Sequence, residues 1–219
     1  WAGIQHLMKT PKISVEQFCV ENASSLGLHL LAGADGLKRI IKEPTVNRPG
    51  LALAGFTKYF ANKRIQTIGS AEATYLKSLT KEERVERFDQ VCRCKIPGVV
   101  FSRNLRPDKE FLALADKLSI PVFRSPLITM KFINRATLAL EDLFAPRGQE
   151  HGSMVDILGV GVIVKGESGI GKSECVLALV ERGYSLVADD VTKLKLIDGR
   201  VVIGTSAGVT RDHMEVRGI

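Results

Sequence analysis

Residues 166–173 read GESGIGKS, the pattern G-x-x-x-x-G-K-S, and no other eight residues of the chain restrict its fold as much. A glycine-rich turn joining a strand to a helix aims backbone N–H groups at one point, and the helix N-terminus adds partial positive charge there. The product is an anion site. The preceding GVGVIV reads as the strand and the following ECVLALV as the helix, which are the flanks this motif demands. Within the candidate cradle, Gly166, Gly169 and Gly171 permit close backbone approach, with Glu167, Ser168 and Ile170 between them. Lys172 is placed to reach the β- and γ-phosphates of a nucleotide such as ATP, and Ser173 to ligate Mg²⁺. The competing reading is a chance match in an ordinary turn.

Sixteen residues after Ser173 stand Asp189 and Asp190, closing the apolar run YSLVA. Open α/β sheets bind ligands at the C-terminal ends of their strands. Two adjacent carboxylates there allow one to sit on Mg²⁺ while the other takes a proton from an attacking hydroxyl. The doublet also reads as a polar strand end with Asp190 capping a turn. On pattern alone His151, Glu215 and Arg217 carry no assignment, since a lone histidine is more often structural and charged pairs usually face solvent.

The chain has 219 residues, 45% of them hydrophobic, the content of a soluble globular protein with one large core or two modest ones. No apolar run approaches the ~20 residues that cross a bilayer. The opening WAGIQHLMKTPK has no signal-peptide pattern, so a cytoplasmic location is expected. Starting at Trp1 rather than Met, the numbering is expected to begin inside a longer reading frame. Cys19, Cys92, Cys94 and Cys175 are scattered, and the close pair CRC lacks metal or redox spacing, which fits reduced thiols. Net charge is +7, but residues 1–140 hold 22 basic against 12 acidic side chains, whereas residues 141–219 hold 9 against 12. The basic excess is thus away from the phosphate loop. Its interleaving, as in KEERVERFDQ, fits solvated helix surface better than a nucleic-acid groove.

Hydrophobic periodicity and punctuation organise the rest. Ser14 with Gln17 makes a capping box ahead of VEQFCVENASSL, Gly27 ends that helix, and LHLLAG reads as a strand. Pro49 opens a short helix, RIQTIG is strand-like, and Thr80 with Glu83 caps a charged helix running to about Arg93. GVVFS, PDKEFLALADKLS and PVFRS then read as strand, helix and strand, which predicts a small N-terminal α/β domain over 1–140 with a largely parallel sheet. A helix ends at Pro146, and the polar PRGQE makes residues 141–150 the expected linker. Residues 151–219 are expected to form the phosphate-loop domain, with strands HGSMVDI and GVGVIVK, a helix ending at Gly183, and a hairpin at Asp198-Gly199.

Taken together, HG fifteen residues before the loop, GESGIGKSE, RGYSLVADD and the later MEVRGI resemble the HPr kinase/phosphorylase family, and NRPGLALAGF with RIQTIG resembles its N-terminal domain. The likeness spans nearly the whole chain. It implies a bifunctional ATP-dependent enzyme that phosphorylates a serine of the phosphocarrier protein HPr. In reverse, inorganic phosphate removes the phosphoryl group as pyrophosphate. His151, Lys172 and Asp189 match catalytic positions, with Asp189 as the base. Ser173 and Glu215 match Mg²⁺ ligands, Asp190 is a further metal contact, and Arg217 belongs to the signature, where its charge stabilises the transferring group. Glu167 stands where the family often has Asp. The resemblance also implies a homohexamer when full length, and a chain truncated within the signature, since Ile219 closes the sequence there. A phosphate-loop small-molecule kinase and a nucleotide-binding regulatory module contacting nucleic acid are the competing readings.

Overall fold

Ser14 starts the first helix by way of its hydroxyl. In the computed structural model, which describes residues 8–206, Ser14 Oγ accepts the Gln17 N–H at 3.1 Å and leads into α1 (Val15–Leu26), which ends where Gly27 turns left-handed. The reciprocal half of the expected capping box is not made, because the Gln17 side chain donates to Glu21 instead. The described chain divides into two compact units: residues 12–144, and residues from Ala145 onward together with the segment up to Pro11.

Besides α1, the first unit contains β1 (Ile13–Ser14), β2 (His29–Ala32), β3 (Ile40–Ile41), β4 (Val46–Asn47), α2 (Gly50–Leu53), β5 (Ile65–Ile68), α3 (Ser70–Ser78), α4 (Lys81–Arg93), β6 (Val99–Phe101), α5 (Lys109–Leu118), β7 (Val122–Arg124) and α6 (Thr129–Phe144). Its main sheet runs β2-β7-β6-β5-β4, parallel from β4 to β7, with β2 antiparallel at one edge. Parallel neighbours need crossover connections, and these bring helices onto the sheet faces. Leu53, Leu76, Phe88 and Phe111 of α2 to α5 pack on one face, and Phe18, Leu26, Phe132 and Leu140 of α1 and α6 pack on the other. Every residue of β5 and β6 is therefore buried, which explains why those strands show no polar alternation. The largely parallel sheet read from the sequence is the one observed.

Helix α3 is a helix that the sequence pattern does not announce. Its N-cap is Gly69, which has no side-chain oxygen, so the stabilising contact comes from inside the helix, where Glu72 reaches back to accept the Gly69 N–H at 2.9 Å. α4 follows almost at once, with both halves of the Thr80–Glu83 box formed.

The second unit holds β8 (Arg147–His151), β9 (Ser153–Ile157), β10 (Val160–Val164), α7 (Lys172–Glu181), β11 (Ser185–Ala188), β12 (Val191–Ile197) and β13 (Val201–Ser206). All its strand pairs are antiparallel, in two sheets ordered β10-β9-β11 and β13-β12-β8. Residues 141–150 do not form the expected linker: 141–144 finish α6, and 147–151 are β8, paired residue by residue with β12. Backbone groups make that pairing while the side chains of RGQEH alternate between exposed and half-buried, so polar composition hid a strand. The β12–β13 hairpin does turn at Asp198 and Gly199, both left-handed.

Candidate functional site

Strands β10 and β11 lie on either side of β9, and each runs antiparallel to it. They therefore point the same way. The phosphate loop follows the C-terminal end of β10 and the Asp189-Asp190 doublet follows the C-terminal end of β11, so the same end of the sheet carries both.

The loop is exposed, with Gly169 at φ 85 and Gly171 at φ 98, conformations that side chains other than glycine rarely adopt. Gly171 is the N-cap of α7, so the helix begins at Lys172. Lys172 turns back into the loop, its ammonium donating to the carbonyls of Gly166 at 2.7 Å and Glu167 at 2.8 Å. A positive charge is thereby held at the centre of the loop, where phosphate oxygens would gather. At the loop's root, Lys165 pairs with Glu150 of β8 at 2.8 Å. That hydrogen bond, more than any other influence, holds the Glu150 carboxyl below its ordinary value of 4.5.

The two aspartates differ sharply. Asp189 is 5% exposed, and its Oδ1 accepts the hydroxyl of the equally buried Ser153 at 2.6 Å. Asp190 is exposed and sits at the centre of a three-residue turn, at φ 58, closed by the Val191 N–H on the Asp189 carbonyl at 2.6 Å. The turn sends neighbouring side chains to different places. Asp190 lines a cavity of about 290 Å³ with Ser168, Gly169, Gly171, Lys172, Ser173 and Glu174, whereas Asp189 does not line it. Asp190, which the resemblance offers as a metal contact, thus shares the loop's cavity, while Asp189, which it offers as the base, is bonded to Ser153.

His151 ends β8 opposite Val191, and the next N–H, that of Gly152, donates to the Asp190 carbonyl at 2.8 Å. The histidine is therefore beside the doublet, though it is not part of the cavity wall. Glu215 and Arg217 lie outside the described residues. Sequence reasoning missed Ser153, Glu150 and Lys165. Ser153 and Glu150 flank His151 and Gly152, but only the strand pairing shows that they reach Asp189 and the loop.

Ser173 and Asp190 offer a hydroxyl and a carboxylate to one cavity, a hard oxygen donor set of the kind Mg²⁺ takes together with phosphate oxygens and water. Among the described residues no cluster of three or more His, Cys, Asp or Glu side chains is built to hold a metal. A cation here would depend on the nucleotide for the rest of its ligands, as Mg²⁺ in phosphate-loop sites does.

Similarity to known proteins covers both units. The family model for the HPr Serine kinase N terminus matches residues 13–140, and that for the HPr Serine kinase C-terminal domain matches residues 142–219. The HPr kinase/phosphorylase of Shouchella clausii is 40% identical over 87% of this chain and 61% of its own length. That of Leptospira biflexa is 36% identical over 97% of this chain and 66% of its own, and that of Bacillus subtilis 37% identical over 88% and 62%. The chain thus spans a little under two thirds of these relatives. The structure of the HPr(Ser) kinase/phosphatase from Coxiella burnetii matches 28% of this chain and 36% of its own at 43% identity and TM-score 0.26. With one family model on each unit and more than half of the chain matched by the first alone, the chain belongs to the HPr serine kinase family.

Proposed function

We propose that this chain carries the nucleotide site of an ATP-dependent kinase and phosphorylase that acts on a serine of HPr. The observation that supports this most directly is the shared cavity: a cation that can neutralise phosphate oxygens, a hydroxyl and an ionisable carboxylate all line or enter it. Lys172 holds the phosphoryl oxygens in place, and the loop N–H groups share the negative charge. Mg²⁺, when bound, would be held by Ser173 with Glu215 as a further candidate and would draw charge off the phosphate oxygens, which leaves the Asp190 carboxylate free for proton transfer.

Asp190 is the base in this reading. Its carboxylate takes the proton of the serine hydroxyl as that oxygen bonds to the γ-phosphorus and ADP leaves. In the reverse direction an oxygen of inorganic phosphate attacks the phosphoserine phosphorus, the serine O–P bond breaks, and the protonated Asp190 returns its proton to the serine oxygen as pyrophosphate forms. Asp189 and Ser153 fix the turn that presents it. His151, whose backbone pairs beside the doublet, and Arg217 are the candidates for further charge stabilisation of the transferring group. Because the reading takes ATP and HPr as substrates, the reaction it describes belongs in the cytoplasm; no described helix is long and apolar enough to cross a membrane.

The test compares Asp190→Asn with Asp189→Asn in a chain of the relatives' full length, using labelled ATP and purified HPr. Asp190→Asn is expected to lower serine phosphorylation ~10²–10⁴-fold, the usual share of general-base catalysis, with nucleotide binding nearly intact. Asp189→Asn should keep more of its turnover while losing stability. Near-normal turnover of Asp190→Asn beside an inactive but folded Asp189→Asn would return the base to Asp189.

A further inference from the structure

The first unit has a cavity of its own, about 290 Å³ in volume, beside the C-terminal end of β4. Nothing in the phosphate-loop chemistry uses it. Open α/β sheets bind ligands beyond the carboxyl ends of their strands, and β4 is the edge strand of this one. The last residue of β4 is Asn47 and the next is Arg48.

Both polar side chains are held before any ligand arrives. Glu72, 5% exposed, grips Arg48 through Nε and Nη2, each at 2.9 Å. That fork fixes the guanidinium plane, and among the described residues its Nη1 has no partner, so it remains a donor on the 42%-exposed side. Asn47 donates to the fully buried Gln66 at 2.8 Å, and Gln66 is itself tied to the carbonyls of Ala61 and Arg64. Among the described residues nothing donates to the side-chain oxygen Oδ1 of Asn47, which can then accept from a ligand hydroxyl.

The facing wall is apolar and exposed for no packing reason. Leu51 is 72% exposed, Phe56 56% and Tyr59 91%, and all three line this cavity. Tyr59 also sits at φ 61, a strained backbone for a bulky residue, and packing gives nothing back for the strain. Lys58, a second cation of the lining, stands 5.4 Å from the Tyr59 ring centroid. Cations beside an aromatic wall, with an acceptor between, match a ligand with an anionic group, a hydroxyl-bearing middle and a planar ring. We infer that this cavity binds a small phosphate ester carrying a planar ring, of the nucleoside monophosphate class. It is a second ligand site, separate from the phosphate loop, in a unit to which the proposed reaction assigns no chemistry.

Amide resonances of residues 47–61 and of the loop 166–173 report the two sites separately in the ¹⁵N-labelled full chain. Titration with adenosine monophosphate is expected to shift the 47–61 set saturably, whatever it does to the loop. Adenosine, ribose 5-phosphate and inorganic phosphate should each bind there at least about tenfold more weakly, having lost the anion or the ring. Arg48→Met tests the fork, but it strands Glu72 in the core and can fail to fold. Lys58→Met and Tyr59→Ala change exposed side chains, and each should weaken binding by about tenfold without unfolding the chain. Shifts confined to 166–173, equal binding by inorganic phosphate, or unchanged affinity in both exposed variants would overturn the assignment.

Discussion

The two units solve opposite problems with sheets. In residues 12–144 the central strands β5 and β6 are buried on both faces between helical layers. Beyond Ala145, strand β10 leaves Val160 and Val162 exposed, and the loop it feeds is exposed throughout residues 165–170. A doubly covered sheet buys rigidity, while an edge strand leaves the loop open to a ligand. Elements that bind and release substrates come from the less stable end of a fold, because closure on a ligand requires something left to close. Rigidity in the first unit also lets side chains such as Arg48 be fixed in advance.

A core truncation should break the comparison hardest. Phe88 is fully buried and stacks on Phe111, with ring centroids 4.4 Å apart. Phe88→Ala is expected to cost about 3–5 kcal/mol, the range for a phenylalanine deleted from a packed core. In the second unit Val155 is as buried, but Val155→Ala removes two carbons, about 1.6 kcal/mol by transfer alone. Denaturant unfolding of both variants gives the ordering. A smaller loss for Phe88→Ala would mean that the first unit's core relaxes into the space and is less rigid than its burial implies.

Charge inside the first unit gives the next largest effect and a pH signature. Burial by itself raises the Glu72 pKa, but the Arg48 hydrogen bonds and the N–H groups of the first turn outweigh it, so the carboxyl is held below its ordinary 4.5. A carboxyl whose folded-state value is depressed adds stability above its unfolded value, and that stability is lost as pH falls through the folded one. Glu72→Gln is expected to cost about 1.5–3 kcal/mol near pH 7, the worth of charge-assisted hydrogen bonds. The difference should begin to shrink below about pH 4.5, and the two proteins should converge only once pH falls below the depressed folded-state value. Unfolding curves measured from pH 7 downward check this, and a constant difference across the range would show that Glu72 acts through shape alone.

Legibility in the sequence follows the same division. Signals built from local chemistry were readable: the Ser14 and Thr80 caps, the left-handed Gly27, the loop itself and the Asp198-Gly199 turn all stand where residue type placed them. Features made by pairing at a distance were not. β8 is polar because backbone partners, rather than apolar side chains, hold it to β12. α3 borrows its cap from Glu72, a side chain whose other commitment, to Arg48, lies 24 residues back. Which aspartate faces the loop is decided by one turn at Asp190, and two identical neighbouring residues carry no pattern that could reveal it.

The mildest probe leaves stability untouched and reads accessibility directly. Cys19 and Cys92, both in the first unit, are pushed up to about 12 by burial, with the charge of Asp89 adding to the effect at Cys92. At pH 8 a thiol of that kind is ionised to only ~10⁻⁴, and the thiolate is the reactive form. Cys94 is raised too, again by burial. Cys175, exposed on α7 two residues past Ser173, is the thiol that the second unit leaves open. A chromogenic disulfide reagent at pH 8 should therefore label Cys175 first, and Cys19 and Cys92 only as the first unit unfolds. Peptide mapping after a short exposure identifies the labelled site. Labelling of Cys92 at the rate of Cys175 would show that the covered sheet opens as readily as the exposed one, and the contrast between the two units would then describe a time-averaged picture rather than a difference in stability.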